Sequence, residues 1–253
     1  MKVLYKVVKI EGKGQGCIAL VNIKKETLIL QEKPQCVVPT YGKNPDSGSI
    51  IYHVTDVIEA FGRMTKIEKK EYLKLYNNYT NSVPNEWTLS YNNIFLQSQM
   101  KNNQVENNKT GFVEEFILEN SYQEFCKVIG IYFTNFFGSG SGLGIQASRF
   151  NHSCCSNADA FWNHENSTRE IRAMSNIKKG EEIFINYFGD CMGDLKSRQL
   201  ILSSKYGFKC NCECCQSEIL RYRRYDKFFN RKFLLISIVI AVAINVLYKI
   251  VFS

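Results

Sequence analysis

Residues 148–158 read SRFNHSCCSNA, residues 171–187 read IRAMSNIKKGEEIFINY, and residues 197–216 read SRQLILSSKYGFKCNCECCQ. In the first stretch Arg149 and Phe150 lead into Asn151-His152-Ser153-Cys154, with Asn157 following. An Asn-His pair alone says little, because a buried histidine is usually a hydrogen-bonded core residue. In the second, a Gly180-Glu181-Glu182 turn enters an apolar strand that ends at Tyr187. Taken alone, that is an ordinary hairpin. In the third, Cys210, Cys212 and Cys215 have the C-x-C-x-x-C spacing of a zinc–thiolate site, which needs a fourth ligand to complete a tetrahedron. Cys154 is the candidate. Cys155 and Cys214, each adjacent to a proposed ligand, compete with it.

Working outward from these stretches, the chain before them changes character twice. Val3–Lys9 alternates weakly and predicts a strand, Glu11–Gly16 a glycine-rich turn, and Cys17–Val21 and Glu26–Glu32 two more strands. Gly12-Lys13-Gly14-Gln15-Gly16 would let backbone amides approach a ligand closely, although on this segment alone a tight hairpin turn is the better explanation. Apolar residues then recur at helical spacing over Ile50–Tyr76, and Phe112–Phe137 reads as a second helical block. Asn77–Asn108 holds ten asparagines, which predicts a surface loop near Met100–Thr110. Short strands return at Ala158–Trp162, Arg169–Ala173 and Glu182–Asn186, and Leu195–Tyr206 is helix-like. The order is β, inserted helices, β, cysteine cluster.

Charge and hydropathy divide the chain differently. Residues 221–253 hold seven basic residues and one acid, Asp226, whereas residues 1–220 hold 25 basic and 23 acidic residues. The globular part is therefore nearly neutral, and no specific nucleic-acid surface is expected. Phe233–Phe252 reads FLLISIVIAVAINVLYKIVF, interrupted only by Asn245 and Lys249. Twenty residues at about 1.5 Å each span the roughly 30 Å hydrocarbon layer of a bilayer. The run is apolar all round, unlike a surface helix with one apolar stripe. Six basic residues in Arg221–Lys232 place that flank in the cytosol by the positive-inside rule. The expectation is a single-pass tail anchor with the main domain facing the cytosol. The endoplasmic reticulum, the outer mitochondrial membrane and the nuclear envelope all fit. Met1–Ile10 lacks the apolar core of a secretion signal, so the ten cysteines are expected as thiols or metal ligands rather than disulfides.

Together and in this order, NHSC, the Gly-Glu-Glu strand ending in Tyr187, and Tyr206-Gly207-Phe208 before the cysteines resemble the SET-domain protein-lysine methyltransferases. The likeness is to the SMYD-like (SET and MYND) branch. It covers roughly residues 1–216, with a weaker middle. The resemblance implies a mainly β fold with an α insertion: the SET β-clip of short sheets, a helical insert and a post-SET zinc cluster, here followed by the transmembrane helix. The corresponding segments are an N-terminal SET part (1–40), a helical insert with an Asn-rich loop (41–137), the C-terminal SET core (138–190), the zinc-binding region (191–220), a basic linker (221–232) and the anchor (233–252). The resemblance implies that Gly14, Gly16, Asn151, His152 and Phe208 bind S-adenosyl-L-methionine. It makes Tyr187 the catalytic tyrosine and places Phe137, Tyr187 and Tyr206 around a substrate-lysine channel. It also implies that Cys154, Cys210, Cys212 and Cys215 hold a structural zinc ion. Two departures matter. Only Cys36 lies between Pro34 and Ile50, so there is no MYND finger and no partner bound through one. Ser156 stands where the family usually has proline.

Methyl transfer to an amine explains why such residues gather. A lysine of pKa about 10.4 must lose its proton before it can attack. An aromatic channel disfavours the ammonium form by desolvation and aligns the amine with the methyl donor. The expected partner is a protein bearing the target lysine, histone or otherwise. The rival expectation is a catalytically inactive SET-fold scaffold at a membrane. Retention of Asn151, His152 and Tyr187 favours catalysis.

Overall fold

The computed structural model describes residues 3–39, 53–102, 111–136, 142–188 and 193–225. The chain divides into a large unit, Met1–Cys210, and a small one, Asn211–Ser253.

Two sheets form the β part of the large unit. Strands β1 (Tyr5–Ile10) and β2 (Gly14–Ala19) make a hairpin in which Ile10 pairs with Gly14. The tight turn is therefore residues 11–13. Gly14 and Gly16, expected in a longer turn, lie in β2 instead. The main-chain pairing with β1 continues through them because a glycine still supplies its own N–H and C=O to the ladder. The first sheet has the order β1-β2-β7-β4, with β4 Asn151–His152 and β7 Glu182–Ile185. The second has the order β3-β6-β5, with β3 Leu28–Glu32, β5 Ala158–Asn163 and β6 Thr168–Ala173. Cys17, Ile29, Phe150, Ile171, Ile183 and Ile185 fill the core shared by these strands.

The helical insert has its own core around Ile58, Phe61, Tyr72, Phe125, Ile129 and Tyr132. The stretch read as one helical region over Ile50–Tyr76 is two helices, α1 (Val54–Arg63) and α2 (Lys66–Tyr72). Thr65 separates them. Its hydroxyl accepts from the Glu68 N–H while the Glu68 carboxylate accepts from the Thr65 N–H, a capping box that starts a new helix. Ser121 and Glu124 repeat the device between α4 (Phe112–Glu119) and α5 (Tyr122–Asn135). Helix α3 (Asn85–Asn102) occupies much of the Asn-rich stretch and takes in residues 100–102, the first three of the expected loop Met100–Thr110. Residues 103–110 lie outside the described residues.

Helix α6 (Leu195–Tyr206) closes the large unit. The Asp194 carboxylate accepts from the Ser197 N–H at 2.7 Å to cap its start. Gly207 ends it in the left-handed region, φ 75°. A Cβ at Gly207 would also fall 2.2 Å from Asn78 Oδ1, so no other residue fits without displacing that side chain. In the small unit residues 213–225 are helical. Among the described residues no helix is long and apolar enough to cross a membrane. The expected anchor, 233–252, lies outside them.

Candidate active site

Register brings the glycine run, the Asn-His pair and the Gly-Glu-Glu strand together. β7 runs antiparallel to β2, with Cys17 opposite Ile183, and parallel to β4, with Asn151 opposite Phe184 and His152 opposite Ile185. Gly16, Asn151 and Glu182 therefore meet although 135 and 31 positions separate Asn151 from the other two. The Asn151 amide Nδ2 donates to Glu182 Oε1 at 2.8 Å. A Cβ on Gly16 would lie 2.7 Å from both of those atoms, which is why this position of β2 must be glycine. Gly14 differs: its φ is +75° and nothing lies within 4 Å of where a Cβ would be, so this glycine faces open space. Lys13 Nζ pairs with Glu182 Oε2 at 3.0 Å and stands 4.6 Å above the Phe184 ring. Arg149 bonds to Gln15 and lies 3.8 Å from the Glu71 carboxylate, linking the start of β2 to the insert.

Four rings converge beside this edge. The Tyr187 and Tyr206 rings lie 4.8 Å apart, and His152 lies 5.1 Å from Tyr187 and 6.2 Å from Phe208. Tyr206 is the last residue of α6 and Phe208 follows the reversal at Gly207, so their rings end 6.5 Å apart. The Tyr187 hydroxyl donates to the Phe150 carbonyl at 2.8 Å, and its backbone N–H donates to His152 Nδ1 at 3.2 Å. Burial, followed by the neighbouring Tyr206, pushes the Tyr187 phenol well above its ordinary pKa. It stays neutral at physiological pH and is a donor rather than a base. Burial and then the charge of Arg198 lower His152 to about 4. Burial lowers Lys205 to about 8; its Nζ donates to the Phe136 carbonyl at 3.0 Å and lies 5.0 Å above the Tyr206 ring.

Cys154 and Cys210, both buried, have sulfurs 4.0 Å apart. Two sulfurs roughly 2.3 Å from one tetrahedral zinc ion are about 3.8 Å apart, so this pair fits the metal. Cys154, Cys210, Cys212 and Cys215 make a group of thiols that could hold a metal ion. None of the four is in a disulfide, whereas Cys155 and Cys214, the competing candidates, are disulfide-bonded. That departs from the expectation of reduced cysteines throughout.

The sequence-predicted residues Gly16, Asn151, His152, Tyr187, Tyr206 and Phe208 thus gather in one region, and Gly14 lies at its margin. Phe137 lies outside the described residues. Sequence reading missed Lys13 and Glu182 as braces of Asn151. The Gly-Lys-Gly and Gly-Glu-Glu runs contain them, but only the β2–β7 register pairs them.

Comparison with known proteins agrees with this arrangement. The SET domain family model matches residues 14–188. The putative SET domain-containing protein L678 of Acanthamoeba polyphaga mimivirus is 33% identical over 230 residues, covering 88% of this chain and 82% of that protein. The histone-lysine N-methyltransferase set5 of Schizosaccharomyces pombe is 25% identical over 87% of this chain and 53% of its own length. The protein-lysine N-trimethyltransferase SMYD5 of Danio rerio is 40% identical over 82 residues, 32% of this chain and 20% of that protein. The chain thus spans about half of set5 and a fifth of SMYD5. A crystal structure of the SET domain of LSMT bound to methyllysine and AdoHcy superposes with a TM-score of 0.51 at 14% identity, over 84% of this chain and 54% of that one. That likeness is one of fold. On the matched residues and the extent of the mimivirus relative, this chain belongs to the SET domain family.

Proposed function

We propose that this chain is an S-adenosylmethionine-dependent methyltransferase acting on lysine side chains of proteins. The observation that carries the reading is the convergence of Asn151, His152, Tyr187, Tyr206 and Phe208, from three separated segments, on one aromatic, half-buried region. The relatives set5 and SMYD5 bear the names of lysine methyltransferases, and the family is the one to which this chain belongs.

S-adenosylmethionine, when bound, supplies an electrophilic methyl group on a sulfonium. Gly14, Gly16, Asn151, His152 and Phe208 are the residues proposed to hold it. The chain-level fit is the open face at Gly14 beside a glycine edge that admits no Cβ at Gly16. Tyr187 and Tyr206 would wall the path of the substrate lysine, and Phe137, outside the described residues, is the third residue proposed for it. Their rings strip water from the ammonium and so favour its loss of a proton. The Tyr187 hydroxyl, kept neutral and fixed on the Phe150 carbonyl, orients the amine and does not deprotonate it. Its worth lies in prepaid alignment. A zinc ion on Cys154, Cys210, Cys212 and Cys215 would be closed to substrate and structural, pinning the turn that carries Tyr206 and Phe208. Residues 233–252 would anchor the enzyme to a membrane with the domain on the cytosolic side.

The test is transfer of labelled methyl from S-adenosylmethionine into lysines of a cell extract, beside a cofactor-binding titration. Saturable cofactor binding with lysine-specific label is expected. Binding without transfer to any acceptor would identify the inactive scaffold instead.

A further inference from the structure

We propose that His152 is a positioning residue that ties the thiolate centre to Tyr187: its Nε2–H donates to the Cys154 sulfur while its Nδ1 accepts the Tyr187 N–H. The inference rests on the zinc reading above. The imidazole is buried, its Nε2 is 3.3 Å from Cys154 Sγ, and its Nδ1 is 3.2 Å from the Tyr187 nitrogen.

The tautomer follows from the partners. A backbone N–H can only donate, so Nδ1 facing Tyr187 must carry a lone pair. The single hydrogen of the neutral ring then sits on Nε2 and points at sulfur. A zinc-bound cysteine is a thiolate and needs a donor, so the two demands agree. The competing arrangement is a hydrogen on Nδ1 aimed at the Ile185 carbonyl, which also interacts with the ring. That carbonyl already accepts from the Ser153 N–H at 3.2 Å, so it is not left unpaired by the tautomer proposed here. Choosing Nδ1–H would set a hydrogen against the Tyr187 N–H and a ring lone pair against the thiolate. The Phe188 ring, 5.2 Å away and at 84° to the imidazole, and the Tyr187 ring on another side restrict flipping.

One side chain therefore reports the state of the sulfur centre to the backbone of the catalytic tyrosine. Loss of the metal turns Cys154 from a pure acceptor into a thiol with its own proton. The reason to hold Nε2–H toward sulfur then disappears, and with it the fixed acceptor for Tyr187.

The test uses the zinc-loaded full chain labelled with ¹⁵N-histidine in detergent micelles. Two-bond ¹H–¹⁵N correlations assign the His152 tautomer at neutral pH, independently of any methyl transfer. Nε2–H is expected, and Nδ1–H overturns the proposal. Two variants separate the arms. His152→Asn keeps an acceptor near Nδ1 and loses the contact with sulfur, whereas His152→Gln reaches toward sulfur and gives up the acceptor at Nδ1. In chelator competition His152→Asn is expected to hold zinc about tenfold or more weakly, within the 10–100-fold span typical of residues that support a metal ligand. His152→Gln should stay within about threefold of the parent. Equal zinc affinity in His152→Asn and the parent overturns the proposal even where turnover changes. A parent chain that purifies without stoichiometric zinc overturns the zinc reading and this inference together, while leaving methyl transfer to be read separately. Should either variant fail to fold, the tautomer of the parent decides alone.

Discussion

Gly16 and Gly14 make an internally controlled pair. Alanine at Gly16 would put a methyl group 2.7 Å from Asn151 Nδ2 and Glu182 Oε1, and 2.8 Å from Ile10 Cγ1. Carbon approaches such atoms no closer than about 3.5 Å without repulsion. At least one neighbour must therefore move by most of an ångström. The clash falls on Asn151 Nδ2 and Glu182 Oε1 together, so it bears directly on the hydrogen bond between them. Overpacking of this kind costs about 1–3 kcal/mol, and the lost hydrogen bond about 1 more. Alanine at Gly14 meets no atom but must adopt φ +75°, at roughly 1–2 kcal/mol. Gly14→Ala is thus the milder change of the two and leaves Asn151 where it is. Calorimetric titration with S-adenosylhomocysteine should show Gly16→Ala weakened at least tenfold, and Gly14→Ala, which keeps its backbone groups and leaves Asn151 in place, weakened less. Parent-like affinity in Gly16→Ala would refute the placement of the cofactor against Asn151.

Three further outcomes follow from the same structure. Tyr72→Phe removes a buried hydroxyl that donates to the Val128 carbonyl at 2.7 Å, between the insert helices. It should cost about 1 kcal/mol, or roughly 2–4 °C in melting temperature, and leave cofactor affinity unchanged. Lys205, lowered by burial from 10.5 to about 8, binds a proton more readily unfolded than folded. Its charge therefore penalises the fold fully below pH 8, and the penalty fades as pH rises from 8 toward 10.5. Lys205→Met should melt higher than the parent at pH 7, with the gap closing across that window; a gap independent of pH would refute the assignment. Deleting residues 233–253 should move the protein from the carbonate-resistant membrane pellet to the supernatant of fractionated cells; an unchanged distribution would refute the anchor.

How far the sequence could be read depended on which signal carried each element. The strands β5, β6 and β7 and helix α6 were legible from alternation and spacing, and their observed bounds differ by a residue or less. Helix α3 was not, because its apolar residues Leu89, Tyr91, Phe95, Leu96 and Met100 form no single stripe and several remain exposed. The breaks before α2 and α5 were written in Thr65-x-x-Glu68 and Ser121-x-x-Glu124, where a helical period continues across the boundary and hides the cap. In the site, the nearness of Asn151, Tyr187 and Phe208 could be expected only through family resemblance. Periodicity cannot say that β4 pairs parallel to β7. The roles of Lys13 and Glu182, and the contact between His152 and Cys154, depend on side-chain geometry that no local pattern encodes.

The central claim is that a neutral tyrosine hydroxyl, set among Phe150, His152 and Tyr206, governs methyl transfer to lysine. Tyr187→Phe keeps the ring and deletes the bond to the Phe150 carbonyl. In labelled-methyl transfer with matched cofactor saturation, turnover should fall about 100-fold or more, the scale of loss that follows when a reacting group is no longer held in line. Cofactor affinity should stay within about threefold. Turnover equal to the parent, in a variant that binds cofactor normally, would contradict the account.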